Sequence, residues 1–208
     1  GGKTNTMDPK EIFSLKGRVA LITGGAIGLG KTIAEFYAAY GADVVIVDVD
    51  GDGAKSTASE IEKLGVKTLG IACDVSKSAD VNRAIEATLD EMGGLQILVN
   101  NAGINIREPA LEVAEEHWDK ILDVNLKGVF LFSQAAGKVM EKQKYGKIVN
   151  MASIQAIIAM PLRTAYCASK GGVVQMTKQM AVEWAKYGIR ANAIAPSFFV
   201  TPMNRELF

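Results

Sequence analysis

Two cysteines, one histidine and no net charge set the first limits on this 208-residue chain. Cys73 and Cys167 stand far apart and outside any metal-type spacing, so a disulfide scaffold is not expected and a reducing cytoplasm is the expected compartment. Lys plus Arg and Asp plus Glu number 23 each, and nothing in that balance points to nucleic acid or an acidic membrane surface. His117, set among charges in EEHWDK, reads as a solvated helix residue rather than a catalytic one. No cluster of His, Cys and carboxylates suggests a metal site. No apolar run approaches the roughly 20 residues that span a bilayer. The opening GGKTNTM lacks the apolar stretch of a signal peptide, and residues 1–14 read as a tag remnant and N-terminal arm. Without repeats, low-complexity segments or a linker, residues 15–208 are expected to form a single domain.

What is present is an alternation of short apolar strands with helical patterns, which predicts an α/β fold. Strands are expected at 18–22, 44–47, 68–72, 97–99, 147–151 and 190–194. Helices are expected at 30–40, 54–64, 79–92 with Ser78 as N-cap, 115–140 and 164–186. Val44–Val47 (VVIV) is the β-branched run of a strand buried on both faces. Parallel strands need crossovers, so the simplest arrangement is a doubly wound parallel sheet with helices on both faces. Such sheets bind ligands outside the carboxyl ends of their strands, where Thr23, Asp48, Asp74, Asn100, Ser153 and Pro196 fall.

Three features carry chemistry. The turn TGGAIGLG joins the first strand to the first helix. Its glycines permit close approach of a pyrophosphate, whose charge the helix N-terminus would meet. Thr23, Gly24, Ala26, Ile27, Gly28, Leu29 and Gly30 are therefore candidate dinucleotide-binding residues. The spacing is that of neither the usual dinucleotide fingerprint nor a P-loop. Asp48 ends the second strand, where an acid accepts hydrogen bonds from adenosine ribose hydroxyls and repels a 2′-phosphate. Neither Ile27 nor Val49 beside it offers a compensating cation, so NAD is expected over NADP. Tyr166 and Lys170 stand four apart on one helix face, where a cation would ease formation of the phenolate.

In order and spacing, Thr23–Gly30, Asp74-Val75, Asn100-Asn101-Ala102-Gly103, Asn125, Ser153, Tyr166-x-x-x-Lys170 and Pro196 resemble the short-chain dehydrogenases/reductases, from about Leu15 to Met203. That resemblance implies a Rossmann-like fold and an oxidoreductase. Tyr166 would be its general acid/base. Lys170 would lower the tyrosine's pKa and bind the nicotinamide ribose, Ser153 would hold the reacting oxygen, and Asn125 would hold a water linking Lys170 to solvent. Unaided, Asn125 reads only as a polar helix residue. Asp74 and Val75 would flank the adenine. Asn101, Ala102 and Gly103 would run along the adenosine ribose and the nicotinamide side, and Pro196 and Thr201 would meet the carboxamide. The family also forms dimers and tetramers through its two long helices, here near 115–140 and 164–186. Small residues in the second (Ala165, Ala168, Ser169, Gly171, Gly172) would permit close packing.

Two departures qualify the resemblance. Ser197 follows Pro196 where the family usually has glycine, so the loop is expected to adjust. The chain stops at Phe208, before the substrate-covering segment and last edge strand, which implies a cleaved or truncated form that binds NAD but turns over poorly. The loops expected to line the substrate pocket carry Asn105, Arg107, Gln155 and Arg163 beside Ile157, Met160 and Phe198. Asn105, Arg107, Ser153, Gln155 and Phe198 are the candidate substrate contacts. The NAGIN-x-R-x-P stretch and Ser153-x-Gln155 resemble the branch acting on sugars, sugar acids and polyols, gluconate 5-dehydrogenase-like enzymes included. The alternatives are a 3-oxoacyl-carrier-protein reductase-like enzyme, a non-catalytic NAD-binding regulatory protein and a purely structural subunit.

Overall fold

Every strand of the sheet runs parallel to its neighbours, in the order β3-β2-β1-β4-β5-β6. The computed structural model describes residues 9–197 and 199. After a short α1 (Pro9–Ile12), the chain runs β1 (Val19–Thr23), α2 (Gly28–Ala39), β2 (Asp43–Asp48), α3 (Gly51–Glu62) and β3 (Thr68–Ala72). It continues through α4 (Ser78–Met92), β4 (Ile97–Asn100), α5 (Glu115–Leu122), α6 (Gly128–Gln143), β5 (Gly146–Met151), α7 (Thr164–Trp184) and β6 (Ile189–Ile194).

Alternation of side chains along each strand divides the core in two. On one face Leu21, Val45, Leu98 and Ile148 pack with Ile85 of α4, Phe132 of α6 and Met180 of α7. On the other, Ile22, Val44, Ile46 and Val99 meet Ala34 of α2 and Ala58 and Ile61 of α3. Each fully buried Val or Ile contributes about 1.5–3 kcal/mol. The VVIV run is buried throughout, as a central strand under two helical layers requires. The sheet winds outward in both directions from β1 and β4, so the crevice at their carboxyl ends is where a ligand site belongs.

Several expectations need correction. The helix expected across 115–140 is interrupted by a π-helical turn at Asp123–Lys127, in which the Gly128 N–H reaches back to the Asp123 carbonyl. Asn125 lies in this wider turn, fully buried, where a regular helix was expected. Ser78 is the first residue of α4, not its cap; Lys77 precedes it without a side-chain cap bond. His117 is not simply solvated, because its Nδ1 lies 2.8 Å from Glu108 Oε1. Of the small residues on α7, Ala165 and Ser169 are buried within the chain and Gly172 lies against Leu126, which leaves Ala168 and Gly171 facing outward. Among the described residues β6 pairs only with β5, and no helix is long and apolar enough to cross a membrane.

Candidate active site

The turn after β1 is held by the end of β4. Thr23 Oγ1 accepts the Asn101 and Ala102 amides at 3.0 and 3.1 Å. Asn101 Nδ2 in return donates to the Thr23 and Gly24 carbonyls at 3.1 and 2.9 Å. Gly24 takes φ +63°, and a Cβ there would come 2.8 Å from Ala102 Cα. A Cβ on Gly30 would stand 2.1 Å from the Gly24 oxygen. Glycine is required at both places, at the first by conformation and at both by contact. The N-terminus of α2 has no side-chain cap, so its first amides remain available to an anion.

Asp48 is engaged on both oxygens. Oδ2 accepts the Ala26 amide and Oδ1 the Asp50 amide, each at 3.1 Å. It is flanked by Ile27 and Val49, which are 60% and 78% exposed although apolar. Further along the same edge, Asp74 accepts the Ser76 hydroxyl at 2.6 Å, and this bond holds its carboxyl below the usual range.

One cleft of about 540 Å³ links these features to the end of β5, within the few-hundred to thousand Å³ range of small-molecule and cofactor sites. Of the expected residues, it is lined by Gly24, Ile27, Gly28, Leu29, Asp48, Val49, Asp74, Val75, Asn101, Ala102, Gly103, Ser153, Tyr166, Lys170 and Pro196. Thr23, Ala26, Gly30 and Asn125 are not on its wall; Thr23, Ala26 and Asn125 brace the backbone behind it. Asn105, Arg107 and Gln155 do not line it, and Gln155 is buried, its backbone N–H donating to Ser153 Oγ at 3.2 Å. Phe198 and Thr201 lie outside the described residues.

Sequence reasoning missed Cys73, Ile104, Lys120, Val124, Met151, Ala152, Ser197 and Phe199 on the wall. Met151, Ala152 and Ser197 adjoin residues already singled out. Lys120 and Val124 sit one turn apart and carry no sequence signal of a ligand. Ser197 stays out of the left-handed region, where among the described non-glycine residues only Lys144 and Leu162 fall. The loop therefore accepts serine without that strain.

At the far end stand Ser153, Tyr166 and Lys170. Burial raises the Tyr166 phenol above its ordinary value, against the lowering pull of the Ser153 hydroxyl and the Arg163 charge. Lys170 Nζ donates to the Met151 carbonyl at 2.6 Å. Burial lowers its pKa to about 8. Burial dominates both groups, and Lys170 is tied to the end of β5. Asn125 Oδ1 accepts the Ile104 amide at 2.8 Å, and its Nδ2 donates to the Ile104 carbonyl and to Ser169 Oγ. The side chain clamps the backbone beside Gly103.

The arrangement can hold an anionic, partly apolar dinucleotide along the cleft and handle a proton at Tyr166 Oη. Known proteins resemble this chain over nearly its whole length. The family model described as short chain dehydrogenase matches residues 18–208. D-threitol dehydrogenase of Mycolicibacterium smegmatis is 43% identical over 194 residues, which are 93% of this chain and 75% of that protein. Gluconate 5-dehydrogenase of Gluconobacter oxydans is 37% identical over 201 residues, 97% of this chain and 78% of the relative. Among solved structures, the 3-ketoacyl-(acyl-carrier-protein) reductase from Brucella melitensis complexed with NADH superposes with a TM-score of 0.87 at 41% identity, covering 91% of this chain and 79% of that one.

Proposed function

The chain belongs to the short-chain dehydrogenase family, and from that premise we propose that it moves a hydride between NAD and the carbinol or carbonyl carbon of a sugar, sugar acid or polyol. It is an oxidoreductase acting on CH–OH groups. The observation that carries the proposal is the single cleft whose one end holds the glycine turn and Asp48 and whose other end holds Ser153, Tyr166 and Lys170.

The residues fit a nicotinamide dinucleotide. The uncapped α2 N-terminus and the glycine turn suit its pyrophosphate. Exposed Ile27 and Val49, with Asp74 and Val75, suit an adenine, and Asn101, Ala102 and Gly103 run on towards the reacting end. Asp48 retains acceptor capacity for ribose hydroxyls and would repel a 2′-phosphate, which supports NAD. Pro196 and Thr201 are the proposed carboxamide contacts. When bound, the cofactor supplies the acceptor for hydride.

In the oxidative direction, Tyr166 Oη takes the proton of the substrate hydroxyl as the carbinol C–H bond gives up its electron pair. Ser153 Oγ holds that oxygen in place. Lys170, anchored by Met151, provides positive charge behind the phenolate and a donor for the nicotinamide ribose. Asn125 fixes the Ile104 backbone that forms the wall facing Lys170. Asn105, Arg107, Gln155 and Phe198 are the proposed substrate contacts. Holding the reacting atoms together makes the transfer effectively unimolecular.

We further propose a homo-oligomer through the faces of α5–α6 and α7, supported by outward-facing Ala168, Gly171 and Val182. Free Cys73 and Cys167 support a reducing, cytoplasmic setting. A second reading, reduction of a 3-oxoacyl group on a carrier protein, draws on the likeness to the Brucella reductase; Asp48 weighs against the NADPH that such a reading favours. The deciding experiment is a panel of sugar acids, aldoses, polyols, hydroxy acids and a 3-oxoacyl thioester, followed by absorbance of the reduced cofactor. Turnover of the thioester alone would replace the first reading with the second. No turnover of any of them would refute both.

A further inference from the structure

Four charged side chains line the cleft: Asp48, Asp74, Lys120 and Lys170. Three of them are committed within the chain. Asp48 accepts the Ala26 and Asp50 amides, and Asp74 accepts the Ser76 hydroxyl and stands 3.3 Å from Lys77 Nζ. Lys170 is buried on the Met151 carbonyl. Lys120 differs. It is exposed, and among the described residues it takes part in no hydrogen bond or ion pair. The acids that its own stretch of helix could offer are engaged elsewhere. Asp123, three residues on, holds Lys127 at 2.7 Å, and Glu116, four residues back, stands 3.7 Å from His117 Nε2.

Water satisfies an exposed ammonium, so the missing partner alone points to no ligand; the position of Lys120 does. Lys120 and Val124 stand four apart and both lie on the cleft wall, so one side of this helical stretch faces the cleft. Val124 packs in the same core cluster as Val75, and a Cβ on Gly128, four residues further, would come 2.8 Å from Val75. That cluster belongs to the face of the sheet covered by α4, α6 and α7. The glycine turn leads into α2, whose Ala34 and Ala38 pack on the opposite face. The cleft therefore runs between the uncapped N-terminus of α2 and the wall that carries Lys120.

We propose that Lys120 is a further cofactor-binding residue, an ammonium that meets the pyrophosphate from the side opposite the α2 N-terminus. The proposal rests on the reading of the cleft as a dinucleotide site. The negative charge of NADH sits on its pyrophosphate alone, and Asp48 and Asp74 on the same wall oppose it. The α2 amides answer that charge with dipoles. Lys120 adds a whole positive charge on a flexible stem, without the fixed fork geometry of an arginine. Because the ammonium is water-accessible and unpaired, no internal ion pair has to break for it to reach the anion.

The test is a titration of NADH into the protein, followed by the fluorescence of the cofactor, which needs no turnover. Lys120→Gln should raise the NADH Kd by about three- to tenfold, Lys120→Glu should raise it further, and Lys120→Arg should stay within about twofold of wild type. Lys127→Gln removes the same charge seven residues along, off the cleft wall, and should leave the Kd unchanged. The ratio of the Lys120→Gln Kd to the wild-type Kd should shrink as salt rises from about 0.05 to 1 M, where screening shortens to about 3 Å. ADP-ribose, which keeps the pyrophosphate and lacks the nicotinamide, should show the same ratio when it displaces NADH. A melting curve for each variant checks that it is folded, and Lys120→Met replaces Lys120→Gln if that variant is not. An NADH Kd unmoved in folded Lys120→Gln and Lys120→Glu overturns the proposal alone. So does a loss that arginine does not rescue, or one that salt does not diminish. Wild type that binds neither NADH nor ADP-ribose refutes the dinucleotide reading, and the proposal falls with it.

Discussion

Lys170 Nζ lies 5.7 Å from the centroid of the Tyr166 ring, yet its hydrogen bond, at 2.6 Å, goes to the Met151 carbonyl. The i, i+4 spacing brings the two residues onto one face, but the lysine is held by the end of β5 rather than by the phenol. Burial raises one group and lowers the other, so both are pushed toward their neutral forms. The groups that act to lower the tyrosine are Ser153 and Arg163, which come from the end of β5 and from the loop before α7.

The buried lysine should leave a signature in stability against pH. Its native pKa of about 8 is below its ordinary, unfolded value. Between about pH 8 and 10 the unfolded chain therefore binds more protons than the native one at this position, and stability from this group rises with pH. Cys73, pushed up to about 12 by burial and nearby Asp80, acts in the opposite sense above the ordinary thiol range. The difference between wild type and Lys170→Met cancels it. Wild type should gain on the variant by about 2 kcal/mol across the window, roughly 4–8 °C in melting temperature. A constant difference would mean that native Lys170 keeps its proton.

Tyr166→Phe removes the proton acceptor and little else. NAD affinity and melting temperature should stay near wild type, and turnover should fall by roughly 10²–10⁴. Steady-state kinetics with NAD titration checks both halves. Retained activity would take the proton-transfer role away from Tyr166.

Asp48→Ala should act on cofactor choice. The NAD/NADP ratio of kcat/KM should narrow by about tenfold or more, equivalent to roughly 1.4 kcal/mol. Because both carboxylate oxygens also accept backbone amides, some loss of stability should accompany it. An unchanged ratio would show that cofactor choice is made elsewhere.

Gly30→Ala tests the packing of the turn. Its Cβ would sit 2.1 Å from the Gly24 oxygen and 2.6 Å from Asn101 Nδ2, and the first of these is backbone. The turn must shift, at about 1–3 kcal/mol, and NAD binding should weaken with it. Thermal melts and a cofactor titration read the two effects. Wild-type values in both would show that the turn has room to spare.

Much of this is legible in the sequence. The VVIV run, the glycine turn, Asp48 and the Tyr166-to-Lys170 spacing depend on residues close in sequence. Their local rules, β-branched burial, glycine conformations and helix periodicity, hold whatever surrounds them. The π-helical turn at Asn125 was not legible, because one extra residue per turn hardly disturbs the apolar pattern. Its side chain is engaged by Ile104 and Ser169 from distant parts of the chain. Thr23 reads as a ligand contact by position; that its hydroxyl also accepts the two amides that follow β4 is visible only in the fold.

The sequence by itself determined the alternating parallel architecture, the nicotinamide cofactor class and the choice of Ser153, Tyr166 and Lys170 as the proposed reacting side chains, since each is encoded in a short pattern with its own physical cause. Only the tertiary structure decided which groups set the charge around Tyr166. The proton affinities of Tyr166 and Lys170 depend on burial and on groups brought together from separate parts of the chain. Desolvation and Coulomb energy act through space, and sequence spacing does not record those distances.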